Sequence, residues 1–146
     1  GPRVKFPPIP SFAPEVFATA RPVDTGKSKQ FRKGLDQLNE EGVVQVLKDP
    51  DWGDASPVLA AVGQLQFDVF ANRLEFEFNA PIELSSAPYQ AIRLTDAESA
   101  KVLREKPGVR ILARFDGHLV ALFENKYALA RIEQNEPELM LDHIVA

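Results

Sequence analysis

Apolar and polar positions along this chain alternate between strand-like runs and longer segments in which apolar residues recur at helical spacing. In the clearest helical segment, Phe31, Leu35 and Leu38 form one stripe. Asp24 and Thr25 cap its start, and Gly42 marks its stop. The elements predicted up to residue 86 are, in order, a strand at 16–21, a helix at 24–41, strands at 43–47 and 58–62, a helix at 64–78 and a strand at 82–84. The order β-α-β-β-α-β is the ferredoxin-like plan.

The remainder of the chain repeats that order. Asp116-Gly117 lies between two apolar runs and is a strong hairpin signal. Thr95 to Glu98 has the form of a capping box at a helix start, and Asn125 caps a later helix. The further elements predicted are a strand at 91–94, a short helix after it, strands at 110–115 and 118–123, a helix after 125 and a strand at 139–144.

These elements predict an α+β fold (α/β plait) made of two stacked or fused ferredoxin-like βαββαβ units. Residues 15–86 form the first unit. Residues 87–146 form either a second unit or an extension of the same domain. Residues 1–14 are too rich in proline for a helix or a central strand. They predict an extended connector that joins this domain to a preceding part of a longer protein.

Composition is that of an ordinary globular chain. The chain has 146 residues, of which 45% are apolar and 26% charged, enough for one domain or two small ones. It has no cysteine, which rules out disulfides and thiolate chemistry within it. No apolar run reaches the ~18–20 residues of a membrane span, and no secretory signal is visible at the start. We therefore expect a cytoplasmic protein with no membrane contact.

The charge balance bears on nucleic-acid partners. A formal net charge of −4 is opposite to that of a free DNA-binding module, whose affinity comes largely from neutralising phosphates. Any contact with nucleic acid must come from a local basic patch.

Catalytic signals are missing from the sequence. Gly26-Lys27-Ser28 resembles the tail of a phosphate-binding loop but lacks its first glycine. His118 and His143 have no neighbouring ligand at a metal-binding spacing, and the acidic residues form no recognisable triad or pair. We expect no enzyme activity, no catalytic residue and no metal site in these residues.

The first helix has an unusual order of charges. Its basic residues come first, although the helix dipole favours acidic residues at that end by roughly 0.3–1 kcal/mol for each well-placed charge. They are Lys27, Lys29, Arg32 and Lys33. Its last turns carry Asp36, Glu40 and Glu41. Either this is a solvated face that tolerates a small penalty, or the basic start contacts an anionic partner such as a nucleic acid.

The start of the second helix is the other candidate binding site. Gly63 follows an apolar strand, where a residue without Cβ permits a tight turn into the helix. The exposed amides of such a turn can bind an anion. The alternative is a glycine required only for packing beside a core helix.

Several motifs, in order, resemble the carboxy-terminal domain of the peptide chain release factor 3 family, class II translational GTPases. The resemblance covers about residues 5 to 86, and later residues are assigned by continuity. The quoted motifs are the segment 6–15, Lys27-Ser28-Lys29-Gln30, Lys33-Gly34-Leu35, Glu40-Glu41-Gly42 and Ala61-Val62-Gly63. A further motif, which we expect to be mainly structural, comprises Gly63, Leu65, Gln66, Phe67, Asp68 and Arg73.

The resemblance implies a longer protein in which a GTPase domain, holding GTP and Mg, and a barrel domain precede this one. It implies that the intact factor promotes departure of class I release factors from the ribosome. It also implies that this domain contacts ribosomal RNA and proteins at the factor-binding site as well as its own GTPase and barrel domains. Lys27, Lys29, Arg32 and Lys33 are the residues we expect to lie in the ribosome contact.

Other function classes remain open at this point. Paired ferredoxin-like units also occur as small-molecule-binding regulatory modules. A free RNA-binding domain is less favoured, because the strands lack the aromatic signature that stacks bases. An acylphosphatase-like activity would need an arginine–asparagine site that is not evident.

Overall fold

The computed structural model describes residues 14–51 and 53–144 of the chain. The connector predicted for residues 1–14 therefore lies outside the described residues, except for Pro14. Within them the chain forms strands and helices in the following order: β1 (Val16–Pro22), α1 (Ser28–Glu40), β2 (Gln45–Asp49), β3 (Gly53–Ala61), α2 (Gln64–Phe78), β4 (Ile82–Ser86), β5 (Ala91–Thr95), α3 (Ala97–Leu103), β6 (Val109–Ala113), β7 (Leu119–Phe123) and α4 (Lys126–Asn135). The predicted α+β class is confirmed.

The strands form one seven-stranded sheet in the order β4-β1-β3-β2-β6-β7-β5, with every neighbouring pair antiparallel. Its first four strands have the ferredoxin-like order. The remaining three continue the sheet from β2, and β2 pairs with β6 only at Lys48 and Ala113.

The sheet is strongly curled. Strands β4 and β5 are its two edges, and a flat seven-stranded sheet would separate them by roughly 29 Å. Only residues 87–90 connect Ser86 to Ala91, and such a segment spans at most roughly 17 Å. The edges are therefore drawn together, and the two parts of the sheet bury their inner faces in one shared cluster. This cluster consists of Phe17, Leu47, Val58, Ala60, Ile92, Leu112, Val120, Leu122 and Ile144.

The helices cover the outer faces of the sheet. Helices α1 and α2 pack on the β1–β3 side, around buried residues such as Phe31, Phe67 and Leu74. Helices α3 and α4 cover the other part through Leu103 and Leu129. This arrangement leaves the outer surfaces of the helices as the broad faces of the molecule.

The strand predicted at residues 139–144 is wrong apart from a single bridge between Leu94 and Asp142. The Met140 backbone N–H donates instead to the Ser99 hydroxyl of α3, at 2.8 Å. Leu139 and Leu141 pack partly buried against the α3–α4 cluster. Side-chain contacts with a helix therefore replace the expected strand pairing.

The capping box predicted at Thr95 is also wrong, because β5 extends through Thr95 and buries its side chain. Asp96 caps α3 instead, and its Oδ1 accepts from the Ser99 N–H at 2.8 Å. The predicted cap at Asn125 is confirmed, since its side chain accepts from the N–H groups of Tyr127 and Ala128. The hairpin at Asp116-Gly117 is confirmed as well, with Gly117 at φ +87°.

Candidate functional site

A side-chain cap and two buried apolar residues fix the start of α1 on the sheet. The Asp24 carboxylate accepts from the Gly26 N–H at 2.8 Å and caps a short 3-10 turn, Thr25–Lys27, ahead of the helix. Phe31 and Leu35 are then buried against the sheet, so the opposite side of α1 faces outward. Side chains on the outer side of the first turns of α1 are therefore accessible to a partner.

The basic residues predicted as a ribosome contact lie together at this start. Lys29, Arg32 and Lys33 are exposed, while Lys27 is half-buried. The Lys27 ammonium donates to the Asn79 Oδ1 at 3.2 Å. Within residues 14–51 and 53–144, no carboxylate forms an ion pair with Lys29, Arg32 or Lys33. We call Lys27, Lys29, Arg32 and Lys33 the basic cluster.

Asn79 is a residue that the sequence analysis missed. It ends α2 in the left-handed conformation, φ 54° and ψ 40°, which asparagine adopts more readily than most residues. Its position before Ala80-Pro81 was the available signal, since helices often end with such a residue shortly ahead of a proline. Through Lys27, Asn79 ties the end of α2 to the start of α1.

Glu41, one of the acids near the end of α1, has a structural role. Glu41 forms an ion pair with Arg73 of α2, with Oε1 at 2.5 Å from Nη1, and Arg73 also pairs with Glu77 at 2.8 Å. Hydrogen bonds from Arg73, and then from Gln37, hold the pKa of Glu41 below its ordinary value. The same guanidinium lowers the pKa of Glu77. The charge of Glu41 is thus compensated. Asp36 and Glu40 form no ion pair among the described residues, and neither do Lys29, Arg32 and Lys33.

The start of α2 lacks the tight turn expected at Gly63. Its backbone is extended, with φ −155°, a conformation open to any residue. The Gly63 N–H donates to the Gln66 side-chain oxygen at 3.1 Å, so this amide is already occupied. Gln66 therefore acts as a cap of its own helix, and the geometry offers little support for an anion site here.

The six residues of the family motif have different environments. Phe67 is buried in the core, and Arg73 links the two helices. Leu65 and Asp68 are exposed, with 68% of the Leu65 surface accessible. Because α2 rises about 1.5 Å per residue, the Gly63 end of this helix lies about 24 Å from the Asn79 end that meets the basic cluster. The structure does not bring the two candidate sites together.

No cluster of three or more metal-ligating side chains occurs among the described residues. His118 Nδ1 lies 3.1 Å from Asp116 Oδ2 at the β6–β7 hairpin, beside Arg114. Hydrogen bonds from Arg114, and then from His118, hold the pKa of Asp116 well below its usual range. His143 is exposed. These groups stabilise a turn rather than forming a recognisable reaction centre.

The space that could hold a small ligand lies outside the shared core of the sheet. The inner faces of the curled sheet, where paired units would hold a ligand, are filled by side chains such as Leu47 and Leu122, both fully buried. A cleft of about 560 Å³ lies instead between α1, β2 and the β6–β7 hairpin. It is lined by Asp36, Asn39, Glu40, Val46, Lys48 and Phe115. Its lining combines charged and amide side chains with the apolar side chains of Val46 and Phe115.

In the part of the chain that the structure describes, every helix is too short or too polar to cross a membrane.

Comparisons with a family model and with individual known proteins point to the same family. The family model for the class II release factor RF3, C-terminal domain, matches residues 6–133, well beyond the residues 5 to 86 whose motifs carry the resemblance. The chain is similar to peptide chain release factor 3 of Symbiobacterium thermophilum, with 39% identity over 142 residues that cover 96% of this chain and 27% of the relative. It is also 39% identical to peptide chain release factor 3 of Gloeobacter violaceus over 150 residues, covering 99% of this chain and 28% of that protein. The chain thus spans about a quarter of the length of these relatives.

Proposed function

The chain belongs to the family of class II release factor RF3 C-terminal domains, and from this premise we propose that it is the ribosome-contacting domain of a translation termination GTPase. In this proposal the intact factor promotes GTP-dependent departure of class I release factors from the ribosome in the cytoplasm. GTP and Mg bind in its GTPase domain, outside these 146 residues. The domain itself supplies binding surface and no catalytic group.

The observation that carries the proposal is the basic cluster at the start of α1. Lys29, Arg32 and Lys33 are exposed without an ion-pair partner among the described residues. They add to the positive end of the helix dipole, which raises the local affinity for anions. Ribosomal RNA presents phosphates at high density, and neutralising them releases counterions. A protein of net negative charge can use such a local patch where the rest of its surface cannot.

We expect the double reversal Lys29→Glu with Lys33→Glu, made in the full-length factor, to weaken ribosome binding about tenfold or more and to reduce its dependence on salt. Co-sedimentation with ribosomes in the presence of a non-hydrolysable GTP analogue, over a range of salt concentrations, measures both quantities. The variant should remain folded, because both side chains are exposed and an acid at Lys29 suits the helix dipole.

The matched control is Lys126→Glu with Arg131→Glu on α4, which makes the same change in net charge at exposed residues of the other part of the molecule. It should leave binding near the wild-type level. Equal weakening by both pairs would indicate a general charge effect, and unchanged binding and salt slope for the α1 pair would contradict the proposal.

A small-molecule regulatory module is the competing class, and the filled inner face of the curled sheet argues against it. Saturable binding of a metabolite in calorimetry, abolished by a change of Asn39 or Val46 in the α1–β2 cleft, would favour that class instead.

A further inference from the structure

A groove lies between β5 and helix α4, at the place where the described chain begins. Its volume is about 360 Å³, and its walls include Pro14, Ile92, Arg93, Leu129 and Ala130. We call it the β5–α4 groove. Pro14 is buried there, so the segment that is covalently joined to its nitrogen starts beside the groove.

The outer edge of β5 presents an unpaired hydrogen-bond donor to this groove. Leu94 and Asp142 exchange two backbone hydrogen bonds across that edge, at 2.8 and 3.0 Å. Backbone groups alternate in direction along a strand, so the N–H and C=O of Ile92 point to the same edge as those of Leu94. No described residue accepts from the Ile92 N–H. Ile92 is only 2% exposed, and a backbone N–H with so little access to water is nearly always paired in folded proteins.

Arg93 adds a second donor at the same place. Its Nε is buried and has no acceptor among the described residues. Glu133 Oε2 lies 3.6 Å away, which is an ion pair but is longer than a hydrogen bond. The Ile92 carbonyl is already occupied, because it accepts from Arg93 Nη1 at 2.9 Å. The groove therefore fits an occupant that is rich in acceptors and poor in N–H donors.

The segment ahead of Pro14 has this chemistry. Three of the eight residues 6–13 are proline, which carries a carbonyl acceptor but no N–H. Such a segment favours the polyproline II conformation, which uses none of its carbonyls internally and has three residues per turn. In that conformation Phe6, Ile9 and Phe12, which are spaced three residues apart, fall on one apolar face.

The length of the segment and the extent of the family both agree with docking in this groove. From Phe6 to Phe12 a polyproline II segment covers about 19 Å. Helix α4 has ten residues and is about 15 Å long. The family model matches from residue 6, so the pattern that these domains share starts eight residues before Pro14. Direct attachment to Pro14 also gives the segment an effective concentration on the order of millimolar or more at the groove.

We propose that residues 6–13 dock in the β5–α4 groove in an extended, polyproline II-like conformation and form a strap of this domain. Carbonyl groups of the strap accept from the Ile92 N–H and from Arg93 Nε, and Phe12 packs against Ala130. The strap covers the open edge of β5, which would otherwise be a site for unwanted pairing with other chains. Residues that the sequence predicts to be only a connector are thus part of the folded domain.

NMR spectroscopy on the 146-residue chain tests the proposal. We expect Phe12→Ala to speed hydrogen exchange of the Ile92 amide by about tenfold or more, because the strap then opens more often. The Leu94 amide, which donates to Asp142, is the internal control and should keep its wild-type rate. Nuclear Overhauser contacts should join the Phe12 ring to the Ala130 methyl group in the wild type. Absence of these contacts, or an Ile92 rate unchanged by Phe12→Ala, would overturn the proposal.

A change on the groove side separates the strap from other occupants. Ala130 is exposed, so Ala130→Glu should leave the domain folded while placing a charge against Phe12 and speeding Ile92 exchange several-fold. Ala97→Glu makes the same change at an exposed position of α3 and should have no such effect. Equal effects of both changes, or Ile92 protection that grows with protein concentration and so indicates a second copy, would contradict docking of the strap. None of these measurements involves the ribosome, so their failure would leave the proposed function standing.

Discussion

Gly34 allows helices α1 and α2 to approach each other closely. It lies in the middle of α1 where that helix meets α2, and a Cβ there would lie 2.2 Å from Leu74 Cδ2 and 3.2 Å from Phe78 Cγ. Leu74 is fully buried and has little room to move. The close approach of the two helices therefore requires a residue without a side chain at this position.

We expect Gly34→Ala to lower the free energy of unfolding by about 1–3 kcal/mol, the usual cost of overpacking a core. This reverses the usual order of helix propensity, in which alanine is better than glycine by about 1 kcal/mol. Urea denaturation followed by circular dichroism measures the difference. In a Leu74→Ala background the added methyl has space, so the same change should there be neutral or stabilising. An equal loss in both backgrounds would show that the Leu74 contact is not the cause.

The glycine required for close packing was not the one that local reasoning identifies. Gly63, between a strand and a helix, was the natural candidate, yet the nearest atom to an added Cβ there is the Gln66 oxygen at 3.5 Å. Gly34 sits inside a regular helix and gives no local signal beyond its own cost in helix propensity. Which helix surface another helix approaches depends on contacts far away in sequence.

At the scale of elements, Arg73 joins the end of α1 to the middle of α2. Its bonds to Glu41 and Glu77 span two helices and explain why an acidic residue is tolerated at a helix end where the dipole disfavours it. The sequence alone showed the unfavourable charge order, but the compensating arginine lies 32 residues further along the chain.

This link makes part of the stability depend on pH. Because Arg73 lowers the pKa of Glu41 and Glu77 in the folded protein, the unfolded chain binds more protons in acid. The contribution of the pair is complete above the ordinary glutamate pKa of about 4.3 and is lost as pH falls through the lowered values. We expect Arg73→Met to reduce the urea midpoint more at pH 7 than at pH 3.

The control for this measurement is Arg131→Met, at an exposed position of α4 that forms no ion pair with the described residues. Its effect should be small and independent of pH. A gap between wild type and Arg73→Met that is the same at both pH values would contradict the role of Arg73.

At the scale of the whole molecule, the central feature is the shared cluster on the inner face of the curled sheet. Leu47 and Val58 from the first part pack in one cluster with Leu112 and Leu122 from the second. Among the described strands, direct pairing between the two parts is limited to Lys48 and Ala113. The apolar cluster, more than strand pairing, therefore joins residues 15–86 to the rest.

We predict that the molecule unfolds as one cooperative unit. Leu47→Ala, at a fully buried position, should cost about 2–5 kcal/mol. The loss should also appear in hydrogen exchange of the β7 amides, although β7 belongs to the other part of the sheet. Val102→Ala, at a position 40% exposed on α3, should have little effect. Wild-type exchange of the β7 amides in Leu47→Ala would show instead that the two parts open independently.

The sequence by itself determined the type and order of nearly all elements, the predicted bounds of α2, the Asp116-Gly117 hairpin and the Asn125 cap. These features follow from periodicity and from hydrogen bonds within a few residues, and both are properties of short segments. It also yielded the family resemblance, and it located the basic cluster whose role remains a proposal.

Only the tertiary structure decided how the sheet curls and which contacts replace the expected last strand. It also decided which acidic residues pair with Arg73 and why a side chain at position 34 would clash with α2. It also showed that the described residues leave the outer side of α2 exposed while its inner side enters the core. Each of these depends on which surfaces meet across tens of residues of chain. The free energies of such contacts depend on shape complementarity and on burial, and neither can be determined from a short segment of sequence.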